Sequence, residues 1–265
     1  MPKRPSGVRA DRGYSYRRLE LVATNVRKQL ELPPTAPINA LRLFEGLDIT
    51  AQGRKGQHIP IRGNVIDLKN SEGFTKYNRN RQEIEIFASA ETYDWLERDY
   101  PRGRFFLAHE LGHCLLHTNQ LVRLAHMPLT QQTALHKKKQ LVLHEIYQDT
   151  EWQANAFASA LLMPASGLLA LESKYGNGLS PAEIAERFCV SAEAAYYRLK
   201  LYINRKQQLL QARRAERARP SIPLLPFARL PEFGVRLGPA RRPYLCQRDG
   251  EMASWVAKCR RSARR

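Results

Sequence analysis

Residues 104–117 read RFFLAHELGHCLLH. Apolar residues fill most of the positions between the polar ones, so this segment is predicted to be a largely buried helix. Residues four apart on a helix lie one above the other, which lets His109 and His113 reach the same metal ion. Glu110 lies one position further round the helix, where a carboxylate can serve as the general base of a zinc peptidase.

This short motif also fits a simpler interpretation. A core helix can carry two histidines that are satisfied by ordinary hydrogen bonds, without any metal. A catalytic zinc site usually has three protein ligands and leaves one position open. The motif therefore needs a third ligand from elsewhere in the chain.

A second segment, residues 151–164, offers that ligand and reads EWQANAFASALLMP. Its apolar residues recur at helical spacing, and Pro164 ends the predicted helix. Glu151 lies in the first turn, where it can complete a His-His-Glu site or simply favour the helix dipole as an acidic residue. Asn155 follows one turn later on the same face and can hydrogen-bond a ligand side chain. Pairing with the first motif favours Glu151 as a ligand.

Together the two segments resemble the ImmA/IrrE family of metallopeptidases. Both motifs occur in the expected order, about 40 residues apart. The resemblance covers roughly residues 14–163 and extends towards residue 202. It implies an α+β, zincin-like metallopeptidase domain with a small mixed or antiparallel sheet. By similarity, His109, His113 and Glu151 bind Zn²⁺ and Glu110 is the catalytic acid and base.

The resemblance also implies a function. Family members typically act on, or are paired with, transcriptional repressors in stress responses, mobile elements and phage-related regions. We therefore expect a zinc-dependent endopeptidase that cleaves a regulatory protein, a repressor of the helix-turn-helix type. Because no repressor domain precedes the peptidase motifs, we expect this substrate to be a separate protein.

The resemblance, the motifs and the composition of the two ends together divide the chain into four predicted segments. Residues 1–13 are rich in Pro, Gly and Arg and are predicted to be disordered. The zinc peptidase domain is predicted for residues 14–170, and a helix-turn-helix-like segment for residues 171–205. Residues 206–265 form a predicted flexible tail that is rich in Arg and Pro.

Periodicity predicts the elements that surround the metal helix. We expect helices at residues 14–32, 39–46 and 90–99, strands at 47–51, 63–68 and 83–87, and a hairpin loop at 76–81. In zinc peptidases a strand near the metal helix can pair with the substrate backbone. Glu83–Phe87 is the candidate for that strand, and an ordinary strand of the sheet is the alternative.

Three side chains are candidates for stabilising the oxyanion of a peptidase: Tyr147, His144 and His117. The sequence does not choose among them. His117 also fits a histidine at a helix end, where the dipole favours a positive charge.

Residues 179–200 have the rhythm of a helix-turn-helix. Ser180 and Glu183 form a predicted capping box, while Cys189 occupies the turn position where Gly is common. One interpretation is DNA binding through exposed residues of the second helix, namely Tyr196, Tyr197, Arg198 and Lys200. The other is a helical pair that packs on the peptidase domain, which the presence of a similar segment in relatives favours.

The chain carries a formal charge of +18, and the charge is unevenly distributed. Of 43 Lys and Arg residues 16 follow Ile203, whereas only 4 of the 25 Asp and Glu residues do. Such a tail can hold nucleic acid by counterion release or can simply keep the protein soluble. The alternative function is therefore a DNA-associated regulator with a structural or sensing metal site.

Composition also excludes some classes of protein. The four cysteines form no C-x-x-C pair, so neither a disulfide framework nor a Cys-rich zinc module is indicated. No stretch approaches the ~20 apolar residues of a membrane span, and no signal peptide is evident. We expect a cytoplasmic protein without a membrane partner.

Overall fold

A computed structural model describes residues 8–46, 49–69, 71–127, 144–175 and 178–217. Within these residues nine α-helices and a small sheet form a mixed α+β fold, as predicted. The helices are α1 Tyr16–Gln29, α2 Ala40–Glu45, α3 Ala90–Glu97, α4 Pro101–Leu116, α5 Thr118–Ala125, α6 Thr150–Leu162, α7 Ala165–Tyr175, α8 Pro181–Phe188 and α9 Ala192–Arg217. The strands are β1 Thr50–Gln52, β2 His58–Ile66, β3 Gly73–Asn78 and β4 Glu83–Ser89.

Helices α4 and α6, which carry the two motifs, cross closely in the core. Leu111 and Phe157 are fully buried between them. A side chain at Gly112 would place its Cβ only 3.0 Å from Ala154 Cα, which is too close for a comfortable contact. The small residues Gly112 and Ala154 therefore let the helices approach closely enough for their polar side chains to meet.

The four strands form one sheet in the order β1-β2-β4-β3. Strand β4 runs parallel to β2 and antiparallel to β3, and its Ile84 and Ile86 are fully buried. Since both edges of β4 are already paired, Glu83–Phe87 is the ordinary strand of the sheet that was the alternative, and the substrate-pairing interpretation of this strand is wrong. Strand β3 lies at the edge of the sheet instead.

The predicted hairpin loop at residues 76–81 is partly wrong. Strand β3 extends to Asn78, and Lys76 lies opposite Glu85 of β4. The turn occupies residues 79–82, where Gln82 adopts a positive φ of 54°. The polar residues of β3 predict a loop because they resemble one in composition. On an edge strand, however, polar side chains simply face solvent.

The N-terminal segment is ordered further than predicted. Ala10 donates its backbone N–H to Gln148, and Thr150 donates to Val8. Arg9 forms a β-bridge with Asp149. These bonds fix residues 8–13 against the start of α6, so the predicted disorder is wrong for that part of residues 1–13. Residues 1–7 lie outside the described residues.

Helices α8 and α9 form the predicted helical pair, and they pack on the rest of the fold. Both hydrogen bonds of the Ser180–Glu183 capping box are present. Phe188 and Tyr202 are buried in the common core. Helix α9 continues to Arg217 after a break at Arg205, so the first part of the predicted flexible tail, residues 206–217, is helical. The remainder of the predicted basic tail lies outside the described residues.

Arg198 of α9 is buried, which corrects the expectation that it is exposed. Its Nη2 donates to Glu20 Oε2 at 2.6 Å, and its Nε donates to the Met163 carbonyl at 2.8 Å. Tyr197 and Lys200 are exposed on the same helix. In this position Arg198 ties α9 to α1 and α6 and is not available to contact nucleic acid.

The turn between α8 and α9 places a strained residue at Cys189. Its φ of 52° and ψ of 51° lie in the left-handed region, which a side chain with a Cβ disfavours. We expect Cys189→Gly to raise the free energy of unfolding by about 0.5–1 kcal/mol, because glycine relieves this strain. Urea unfolding measures the change. Cys189→Ala keeps the Cβ and is the control, so an equal gain in both variants would contradict the explanation.

Among the described residues, no single helix is long and apolar enough to cross a membrane. Helices α6 and α7 satisfy both criteria only when taken together, and a bend of 44° separates them.

Candidate metal centre

His109, His113 and Glu151 converge at the crossing of α4 and α6. The two Nε2 atoms of the histidines are 3.0 Å apart. Glu151 places Oε2 3.3 Å from His109 Nε2 and Oε1 3.3 Å from His113 Nε2. The fold thus brings together all three metal ligands that the sequence predicted, although they come from two helices.

The spacing of these three ligand atoms fits a metal ion. Zinc binds imidazole nitrogen and carboxylate oxygen at about 2.0–2.2 Å, so a tetrahedral ion holds its ligand atoms roughly 3.3 Å apart. The observed separations of 3.0–3.3 Å agree with that value. Two imidazoles and one carboxylate also form a donor set that zinc accepts.

Electrostatics at the cluster favour a positive charge. The neighbouring His109 and His113 rings hold the pKa of the Glu151 carboxyl well below its usual range, despite burial. Burial lowers the pKa of His109, but Glu151, together with Glu110 and Asn155, outweighs this effect, so the pKa is raised. Both shifts mean that positive charge between these side chains is stabilised.

Asn155 lies where the sequence predicted it, beside a ligand. Its Oδ1 is 3.0 Å from His109 Nδ1, which donates the hydrogen bond. A proton on Nδ1 leaves the lone pair of Nε2 free and directed at Glu151. Asn155 therefore holds His109 in the form that can bind a metal ion.

Glu110 contacts β3 and is not one of the three residues whose ligand atoms cluster together. Its Oε2 accepts a hydrogen bond of 2.6 Å from Thr75 Oγ1, and the residue is only 7% exposed. Among the described residues no Lys or Arg forms an ion pair with this carboxylate. The sequence pattern does not predict Thr75 as a site residue, because no strand is predicted at residues 73–78, where β3 lies.

His117 lies behind His113 and is also part of the centre. Its Nδ1 is 3.1 Å from His113 Nδ1, and its Nε2 is 2.9 Å from Gln153 Oε1. Burial lowers the pKa of His117 to about 4, with a further contribution from the nearby His113, so the ring is neutral. The sequence did not single out Gln153, since a buried glutamine on an apolar helix carries no distinctive pattern.

The three candidates for oxyanion stabilisation occupy different environments. His117 is engaged on both ring nitrogens, as described above. The His144 side chain is 2% exposed and lies 3.1 Å from Asp149, so it belongs to the interior. Tyr147 is 45% exposed and is the candidate whose side chain reaches solvent.

A mixed α+β fold in which an H-E-x-x-H helix meets a glutamate from a second helix is that of a metallopeptidase-type domain. Residues 98–200 match the family model described as the IrrE N-terminal-like domain, Peptidase_M78. This match confirms the resemblance to the ImmA/IrrE family over that segment. The matched segment contains both motifs, helix α8 and the first part of α9, as far as residue 200.

Two further comparisons add little. No match was found among curated proteins. A solved Mycobacterium tuberculosis transcriptional regulator is similar at 16% identity and a TM-score of 0.40, over 68% of this chain and 46% of that one. This chain therefore spans less than half the length of that protein.

Proposed function

We propose that this protein is a zinc-dependent endopeptidase that cleaves a separate regulatory protein, a transcriptional repressor of the helix-turn-helix type. The observation that carries the proposal is Glu110, a buried carboxylate next to the ligand cluster that does not itself join the ligands. A purely structural metal site has no need of such a base. The peptidase domain would comprise residues 14–170, and residues 171–205 would form a helical segment packed on it.

His109, His113 and Glu151 would hold the ion. When bound, zinc supplies a positive charge that polarises the scissile carbonyl and makes water more acidic. Glu110 accepts a proton from the water as its oxygen bonds to the carbonyl carbon. Glu110 then gives this proton to the amide nitrogen as the C–N bond breaks. Thr75 holds Oε2, which leaves Oε1 as the oxygen that takes the proton.

The substrate class rests on the resemblance to the ImmA/IrrE family, whose members act on or are paired with repressors. Exposed residues of α9 provide a second, less supported candidate, which is nucleic-acid binding. Arg198 does not contribute to such a surface because it is buried. Tyr197 and Lys200 remain its exposed members, and they lie on a helix held by the core.

Metal removal tests the proposed activity. We expect the zinc-loaded protein to cut the repressor encoded beside its gene at one bond, and the metal-free protein to leave it intact. One equivalent of Zn²⁺ should restore cleavage, because the side chains of the site are already positioned. Mass spectrometry of the products gives the cut position. An intact repressor together with cleavage of unfolded casein would contradict the substrate class but not the activity.

A further inference from the structure

Gln153 has an amide group whose orientation is fixed by its partners. Its Nε2 lies 2.8 Å from the Arg12 carbonyl and 2.7 Å from the Tyr147 carbonyl. Carbonyl oxygens only accept hydrogen bonds, so this end of the amide must be the NH₂ group. The other end, which faces His117, is therefore the oxygen.

The amide oxygen in turn fixes the proton on His117. Gln153 Oε1 is 2.9 Å from His117 Nε2, and an oxygen without hydrogens requires a donor there. The ring of His117 is 5% exposed, and its hydrogen-bond partners are His113 and Gln153 rather than a carboxylate. A neutral ring with its proton on Nε2 has a bare Nδ1.

The bare nitrogen of His117 then sets the state of His113. The two Nδ1 atoms are 3.1 Å apart, so one must donate and the other accept. Since His117 accepts, His113 carries its proton on Nδ1. The lone pair of His113 Nε2 is left facing Glu151 Oε1 at 3.3 Å and the bare Nε2 of His109 at 3.0 Å. A metal cation between these three acceptors would satisfy all of them.

The other tautomer of His113, with its proton on Nε2, would be unfavourable for two reasons. A proton on His113 Nε2 would leave two bare Nδ1 nitrogens facing each other at 3.1 Å. It would also put a proton where the ion is to bind, so that binding would first have to displace it. Asn155 alone fixes the tautomer of His109. The tautomer of His113 depends on His117 and, through it, on Gln153.

We propose that His117 and Gln153 are positioning residues that fix the tautomer of His113 and present its Nε2 to the metal ion. This inference rests on the proposed metal site. It gives the N-terminal segment a role, because the Arg12 carbonyl is one of the two acceptors that orient Gln153. Hydrogen-bond partners of this kind change metal affinity about 10- to 100-fold when they are removed.

The first test reads the tautomers directly in the unmodified protein. Long-range proton–nitrogen NMR of the zinc-loaded protein distinguishes protonated from bare ring nitrogens. We expect His117 to carry its proton on Nε2, and His113 to carry its proton on Nδ1. A proton on His117 Nδ1 would overturn the proposal, and this measurement does not require that any variant folds.

The second test measures zinc affinity by competition with a chromophoric chelator. We expect His117→Phe, which keeps a ring of similar size, to weaken zinc binding about 10- to 100-fold. His126→Phe is the matched control, because His126 is exposed directly after the end of α5, and it should bind zinc like the wild type. A purely structural role would lower the melting temperature of the metal-free protein without changing the affinity of the folded form.

The two proposals fail in different ways. If the wild type binds zinc tightly and His117→Phe binds it equally well, the positioning role of His117 is wrong but the proposed metal site stands. Absence of zinc binding in the wild type would instead overturn the metal site of the proposed function. Neither readout depends on proteolysis.

Discussion

Glu110→Gln is expected to abolish proteolysis while leaving zinc binding intact. Glutamine preserves the size of the side chain and the acceptor for Thr75, but it cannot take a proton from water. Loss of a general base typically costs 10²- to 10⁴-fold in rate, so kcat should fall by roughly that factor. Cleavage kinetics and zinc content, measured on the same preparation, separate the two effects.

A matched control for this substitution is Glu186→Gln on α8, where the carboxylate is exposed and distant in sequence from the ligands. It makes the same chemical change and should keep full activity. Retained turnover by Glu110→Gln would show that another group moves the proton. Loss of zinc together with activity would show that Glu110 supports the ion rather than the reaction.

Arg198→Met is expected to destabilise the protein more than any other single change on α9. Arg198 and Glu20 have side chains that are 1% and 3% exposed, and they lie 2.6 Å apart. Removing the cation leaves the Glu20 carboxylate buried without its charged partner. Breaking a buried pair in this way costs about 3–5 kcal/mol, which chemical unfolding followed by circular dichroism can measure.

Lys200→Met provides the comparison, since Lys200 is exposed two residues further along the same helix. It should change stability by less than about 0.5 kcal/mol. Combining Arg198→Met with Glu20→Gln should recover part of the loss, because the uncharged amide is cheaper to bury and can still accept from Ala165. Equal effects of Arg198→Met and Lys200→Met would contradict the proposed role of the buried pair.

The residues of the candidate metal site were predictable from the sequence where they follow helical spacing. His109 and His113 are four residues apart on one helix, and Glu151 begins an apolar helix that needs a packing partner. The close crossing of α4 and α6 follows from small residues that the sequence displays, such as Gly112 and Ala154. Helical spacing and the pairing of the two motifs therefore predicted the three side chains that the structure brings together.

The residues that support this cluster were not predictable in the same way. Thr75 reaches Glu110 across 35 positions, and Gln153 reaches the Arg12 carbonyl across 141. No local pattern encodes a contact between segments so far apart. Arg198 was predicted to be exposed because it is charged and follows two exposed tyrosines in the sequence. On α9, however, it shares a face with the buried residues Ala195 and Tyr202, and Glu20 on α1 supplies its partner in the core.

The central claim is that α4 and α6 together hold one catalytic metal ion. The most direct measurement is a zinc titration of the metal-free protein, monitored by isothermal titration calorimetry. Glu151→Ala is titrated in the same way as the wild type. We expect the wild type to bind one equivalent tightly and Glu151→Ala to bind far more weakly, because it lacks the third ligand. Tight binding that survives Glu151→Ala, or no stoichiometric binding by the wild type, would contradict the account.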